Sequence, residues 1–197
     1  MRKAAPDLDV RVWPDRMGDI SDIEYTAAWL PPPGVVKSLP SLKVIFSLGA
    51  GVDHVFRDPH VPDVPIVRVV SNDLTNRMSE YVVWQVLDHH RMGSKYCQQQ
   101  RHKIWLEDRA QPAAHQVTVG FLGLGVLGTD AARKVASLGF NVTGWSRTPR
   151  YSHDITCFFG EEQLPWFLAT VDILVCLLPL TPQTRGMLSK SLFDRMK

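Results

Sequence analysis

The chain has 197 residues, 45% hydrophobic and 21% charged, with 22 basic against 20 acidic side chains. That apolar fraction suits a folded core and excludes intrinsic disorder. A net charge of +2, with no basic block longer than Met1-Arg2-Lys3, gives no footprint for nucleic acid or an anionic membrane.

Short β-type runs occupy the first third, at residues 10–13, 27–30, 42–48 and 66–70. Most are continuous apolar runs, which suits strands buried on both faces. Pro31-Pro32-Pro33-Gly34 punctuates the second run. The segments between runs leave room for a short helix or a loop, the pattern of a small α/β sheet. Residues 79–91 place Tyr81, Val82, Val83, Val86 and Leu87 at helical spacing. The polar stretch 94–109 reads as a second helix and an extended connector, with Trp105 as its apolar anchor. A strand over 117–122, a glycine loop, a helix over 129–138 stopped by Gly139 and a strand over 141–145 follow. A strand near 155–158, a helix around 164–169, a buried strand over 172–178 and a helix over 189–196 complete the order.

The longest apolar run, residues 173–180, is well short of the ~18 needed to span a bilayer. Asp7 and Asp9 precede any apolar stretch, so no signal peptide is read. The three cysteines, Cys97, Cys157 and Cys176, form no C-x-x-C pair and read as free thiols in a reducing, cytoplasmic compartment. Cys176, inside an apolar run, reads as a small buried hydrophobe.

The chemistry concentrates in Gly123-Leu124-Gly125-Val126-Leu127-Gly128. A strand precedes it, a helix follows it and a second strand comes within ~30 residues, the context that a dinucleotide-binding turn requires. Gly123 permits the tight turn, Gly125 lets backbone approach a pyrophosphate, and Gly128 lets the helix pack on the strand. The helix N-terminus then offers free N–H groups and its positive dipole end to phosphates. A glycine-rich turn with no ligand is the other reading. At the end of the second strand an NAD-binding unit places Asp or Glu for the ribose 2′-hydroxyl. Here stand Ser146, Arg147, Thr148, Pro149 and Arg150. Arginine forks match phosphate oxygens bidentately, so the loop predicts NADP(H), through its 2′-phosphate, with NAD(H) still admissible. A solvated basic loop is the alternative. Among the histidines, His89 and His90 are adjacent and cannot share a helix face, and no spacing suits a metal site.

The glycine loop, Trp145-Ser146-Arg147 and the run Leu177-Leu178-Pro179-Leu180-Thr181-Pro182-Gln183-Thr184-Arg185-Gly186 resemble the D-isomer-specific 2-hydroxyacid dehydrogenases. Within that family the resemblance is to the glyoxylate/hydroxypyruvate reductases. Phe46-Ser47-Leu48-Gly49-Ala50-Gly51-Val52-Asp53-His54 is similar to the family's substrate loop, and Ser79-Glu80-Tyr81-Val82 begins a segment similar to its helix after the hinge. The resemblance implies an α/β chain with a flavodoxin-like substrate domain over 1–74 and a Rossmann-type dinucleotide domain over 75–197. It implies that the amides of Ala50, Gly51 and Val52 hold a substrate carboxylate, which a small-residue turn after a strand can do physically. Trp29 walls the pocket or is a plain core tryptophan. Val126 and Leu127 meet the pyrophosphate, Leu178, Pro179 and Thr184 lie by the adenosine half, and Met78 faces the nicotinamide or simply packs.

Reduction of a 2-keto acid needs a cation to polarise the substrate and a proton donor for the new alkoxide. In the family these are an Arg in an N-x-x-R-G strand end and a His assisted by a Glu. No catalytic residue is assigned in this chain; the three are expected beyond Lys197. Arg2-Lys3-Ala4-Ala5-Pro6 reads as the last turn of a helix, with the family's first strand expected before it. In a flavodoxin-like order 2-1-3-4-5 that strand is central, so its absence predicts a gap in the sheet. The expectation is a chain with both domains incomplete and little or no dehydrogenase activity alone. A non-catalytic dinucleotide-binding regulatory or interaction protein of the same family is the alternative, and another dehydrogenase of this fold a third. The resemblance also implies a homodimer through the helix from Ser79 and the connector around Trp105. The stripe Val82, Val83, Val86, Leu87 is equally that of a core helix.

Overall fold

The computed structural model describes residues 6–197, so the expected helix end at Arg2 to Ala5 lies outside the described residues. The chain divides into two compact units, residues 1–70 and 71–197. The division falls four residues before the expected one.

The first unit is a three-stranded parallel sheet of β1 (Tyr25–Ala28), β2 (Val44–Ser47) and β3 (Ile66–Arg68), in that spatial order. Val36, Leu39, Leu42, Ile45 and Val55 form its core with Ala28. The turns between strands carry no α-helix among the described residues. β1 ends two residues before the expected Leu30, because Leu30 turns into the left-handed region (φ +48°) ahead of the prolines.

The expected strand at residues 10–13 is absent. Val12 bridges to Arg16 in a tight turn, and Val12 and Trp13 are half exposed. A short apolar run becomes a strand only beside a partner, and β1–β3 offer it none. The segment is instead organised by Arg11. Its guanidinium donates to Asp9 and to both oxygens of Asp22 (2.8 Å each), and to the carbonyls of Met17 and Asp19. β1, β2 and β3 are hydrogen-bonded neighbours; the expected gap would lie on the other side of β1, towards residues 10–13.

The second unit opens with α1 (Asn72–His90), seven residues earlier than the helical spacing predicts. The Ser71 hydroxyl accepts the Leu74 N–H at 3.2 Å, and Asp73 sits favourably in the first turn. α2 (Gly93–Arg101) and a connector follow. Trp105 is 99% exposed, so it anchors nothing within the chain. The sheet comprises β4 (Thr118–Leu122), β5 (Asn141–Ser146), β6 (Thr156–Phe159) and β7 (Ile173–Cys176), all parallel, in the order β6-β5-β4-β7. α3 (Val126–Ser137) follows β4, α4 (Gly160–Leu168) follows β6, and α5 (Lys190–Phe193) comes last.

Only central β4 is nearly all buried. The edge strands are half covered, and Cys176, expected to be buried, is exposed at the end of β7. On one face Val82 and Val86 of α1 pack with Ala131, Ala132 and Val135 of α3 over Val119 and Phe121. Val83 and Leu87 pack against the same cluster, so the apolar stripe of α1 is a core face. On the other face Phe167, Leu168 and Val171 cover Leu122 and Trp145. No helix among the described residues is long and apolar enough to cross a membrane.

Candidate functional site

In the second unit the chain leaves β4 and places β5 and β6 on one side, then crosses to place β7 on the other. Open α/β sheets bind ligands outside the carboxyl ends of the strands at such a reversal. The glycine loop occupies that point. Gly123 adopts φ +102°, and its N–H donates to the Trp145 carbonyl at 2.8 Å. A Cβ there would press on the Leu177 backbone of the neighbouring strand end, at 3.0 Å. A Cβ on Gly128 would lie 1.9 Å from the Gly123 carbonyl oxygen, an impossible contact, so only glycine brings α3 this close to the turn. A Cβ on Gly125 would meet no protein atom within 4 Å, which leaves that side open to a ligand.

Three contacts that the sequence did not announce hold this turn. The Leu124 side chain is buried above Gly144, where a Cβ would lie 2.5 Å from it. The Thr129 hydroxyl donates to the Leu124 carbonyl at 3.1 Å. The Leu177 N–H donates to the Leu122 carbonyl at 2.8 Å. α3 begins at Val126, three residues before the expected Thr129, and no side chain caps Gly125. The amides of Val126, Leu127 and Gly128 therefore form the uncapped positive end of the helix, with Val126 exposed and Gly128 buried against the turn. Farther along α3, Asp130 is a carboxylate near that end. Lys134, at 2.7 Å, and the buried Ser79 hydroxyl, at 2.5 Å, hold it ionised and below its usual range, and the lysine neutralises it.

At the end of β5, Ser146 is buried and its hydroxyl donates to the Thr148 carbonyl at 2.8 Å, closing the turn that displays the next residues. Arg147, Thr148 and Arg150 are exposed, and neither arginine has a side-chain hydrogen bond or ion pair among the described residues. No carboxylate stands at this strand end. Beyond β7, Leu178 is half buried and Pro179 exposed. The Thr184 hydroxyl is engaged within its own loop. It donates to the Pro179 carbonyl at 2.6 Å and accepts the Thr181 N–H at 2.8 Å, so it shapes the Leu178–Pro179 wall. Met78 is half buried and packs on the core beside α3.

In the first unit, the turn after β2 gathers the other expected residues. The amides of Ala50, Gly51 and Val52 donate to no protein acceptor among the described residues. Trp29 is 59% exposed rather than a core residue, and its ring lies 4.8 Å from that of buried His54. Ser47 and His54, both buried, are polar members of this turn that the sequence reading passed over.

The family described as D-isomer specific 2-hydroxyacid dehydrogenase, NAD binding domain, matches residues 83–197. A glyoxylate/hydroxypyruvate reductase A from Yersinia enterocolitica is 39% identical across the whole chain, which spans 64% of that relative's length. A D-isomer specific 2-hydroxyacid dehydrogenase from Xanthobacter autotrophicus Py2, solved with NADPH and MES, superimposes with a TM-score of 0.91 at 38% identity, over 99% of this chain and 63% of that one. An NADPH-dependent glyoxylate/hydroxypyruvate reductase from Sinorhizobium meliloti, solved with NADP and sulfate, is 47% identical with a TM-score of 0.86, over 91% of this chain and 56% of that one. By the match to its dinucleotide-binding half, the chain belongs to the D-isomer specific 2-hydroxyacid dehydrogenases.

Proposed function

We propose that these residues carry the cofactor-binding and substrate-anchoring parts of an NADPH-preferring reductase that converts glyoxylate or hydroxypyruvate to the 2-hydroxy acid. The observation that carries the reading is the pair of free arginines, Arg147 and Arg150, displayed where an NAD-selective site has a carboxylate. The open space at Gly125 and the uncapped start of α3 fit a dinucleotide pyrophosphate. When bound, the dihydronicotinamide supplies the hydride.

The chain's own residues bind and orient. The amides of Val126, Leu127 and Gly128 face the phosphates, Arg147 and Arg150 pair with the 2′-phosphate, and Leu178 and Pro179 cover the adenosine. The amides of Ala50, Gly51 and Val52 hold the substrate carboxylate, with Trp29 as a wall. The 197 residues contain no N-x-x-R-G, and no residue is assigned the family's Arg, Glu or His role. Binding without sustained turnover is proposed for them on their own. A cytoplasmic homodimer is part of the proposal. Its support is the exposed aromatic face of α1, where Tyr81 and Trp84 pack edge to face at 6.0 Å, together with Trp105.

The test is nucleotide affinity. Arg147→Ala is expected to weaken NADPH about tenfold to a hundredfold, the size of one lost charge-assisted hydrogen bond, and to leave NADH unchanged. Equal losses for both nucleotides would remove the basis of the NADPH preference.

A further inference from the structure

The amides that face the carboxylate in the reading above sit on a turn with little else to define its shape. It has small residues, no helix and no regular ladder. The Val69 N–H donates to the Gly49 carbonyl at 3.1 Å and the Val55 N–H to that of Val52 at 3.0 Å, and one side-chain hydroxyl ties the residues between them together. Ser47, at the end of β2, is 1% exposed. Its oxygen accepts the Gly49 N–H at 3.1 Å and donates to the Gly51 carbonyl at 2.8 Å. His54 Nε2 lies 3.3 Å from the Ala28 carbonyl and 3.4 Å from Ser47 Oγ. A carbonyl only accepts, so Nε2 carries a proton, and the same N–H reaches the remaining lone pair of Ser47. The hydroxyl's one donor and two acceptor positions are then all used. The imidazole also fixes the pocket wall. Trp29 packs against it with the rings tilted by 44°, and the Trp29 ring fills the space of a Gly49 side chain, where a Cβ would lie 2.6 Å from Cζ3.

We propose that Ser47 and His54 are positioning residues for the substrate carboxylate: they aim the Ala50, Gly51 and Val52 amides outward and hold Trp29 over the turn. The proposal rests on the reading of this turn as the carboxylate site. Ser47 links the turn to itself across four residues, and His54 links it to the end of β1, 26 residues away. Loss of either leaves the amides in place in sequence but free to rotate, and an anion then has to order them on binding.

The experiment titrates the 15N-labelled chain with sodium glyoxylate and follows the amide resonances of Ala50, Gly51 and Val52. Shifts at these three residues are expected in the wild type. Ser47→Ala and His54→Leu are expected to weaken glyoxylate about tenfold, with NADPH affinity unchanged. His54→Gln, which keeps an N–H near the Nε2 position, is expected to restore most of it; a purely space-filling role would instead favour leucine over glutamine. If His54→Leu does not fold, Ser47→Ala decides alone, since it removes one oxygen and adds no volume. Wild-type glyoxylate affinity in Ser47→Ala would overturn the positioning proposal while the carboxylate site stands. Absence of any shift at residues 50–52 in the wild type would overturn the site itself, and the proposal with it.

Discussion

Two glycines of one loop separate steric from ligand demands, because alanine at each meets a different neighbour. At Gly128 a Cβ would lie 1.9 Å from the Gly123 carbonyl oxygen, and carbon–oxygen contacts start near 3.3 Å. The turn and α3 must then separate by about 1.4 Å. The obstacle is backbone, so no side chain can swing aside. Helix propensity alone favours the alanine by about 1 kcal/mol, and overpacking costs about 1–3 kcal/mol. Against a rigid backbone obstacle the clash wins, with a net loss of up to about 2 kcal/mol, or a melting temperature lower by up to about 8 °C. The same displacement carries the amides of Val126 and Leu127 off the pyrophosphate, and two charge-assisted hydrogen bonds are worth at least about 3 kcal/mol, more than a hundredfold in Kd. At Gly125 no protein atom lies within 4 Å of a Cβ, and its φ of −75° suits alanine. A small loss of capping preference offsets a small gain in chain entropy, so stability stays within about 0.5 kcal/mol. Only the ligand meets the new methyl. Thermal unfolding and NADPH titration of both variants check this. Gly125→Ala should lose affinity alone, and Gly128→Ala both affinity and stability. A Gly128→Ala chain with wild-type melting and wild-type affinity would refute the packing argument.

Other expectations concern charge and exposure. Burial, then the nearby Arg91 and His89 charges, lower the pKa of His90, which packs edge-on against Phe140 at 4.9 Å. The unfolded chain therefore takes up this proton first as pH falls. The contribution is full above 6.5 and is lost as pH drops through the lowered value, so melting temperature should fall as pH is taken from neutral to below 6.5, and less steeply in His90→Gln. Asp130 has the usual carboxylate sign. Its lowered pKa stabilises the fold above 3.8 and ceases to as pH falls through the lowered value, so the melting deficit of Asp130→Asn should shrink in acid. Trp105→Ser should shift sedimentation toward monomer and lower melting if the connector joins two copies, and should leave melting unchanged if it does not, because the ring is 99% exposed in the single chain. A monomeric wild type would remove the dimer.

The dinucleotide unit was legible because its demands are local. A strand, three glycines at fixed spacing and a helix lie within a few turns of chain, and each glycine has a steric reason found nearby. Errors arose where an element depends on a distant neighbour. Residues 10–13 have the apolar pattern of a strand, but pattern supplies no hydrogen-bonding partner, and the segment closed on Arg11 instead. Cys176 lies in an apolar run, but strand order decides burial, and β7 is an edge. The start of α1 was missed for a local reason. Ser71-Asn72-Asp73 is a capping signal, and the apolar spacing that drew attention begins later.

The carboxylate turn shows the same division within a few residues. Ala50, Gly51 and Val52 could be picked out as small residues after a strand, because that feature is local. Ser47 and His54 could not, since the histidine's partner is the Ala28 carbonyl, far back in the chain. One signal was present: a serine inside the apolar run Phe46-Ser47-Leu48 either faces solvent or must find partners, because an unpaired buried hydroxyl is costly. A polar residue at a position that strand pairing buries therefore points to the loop it holds. Here that loop carries three amides that meet no acceptor among the described residues. The phosphate cradle proposed at the glycine loop is made by a helix and comes nearly complete with the fold, whereas the proposed carboxylate turn depends on side chains as well as backbone. Substitutions at Ser47 or His54 should thus change substrate selectivity more readily than substitutions behind the glycine loop change cofactor selectivity.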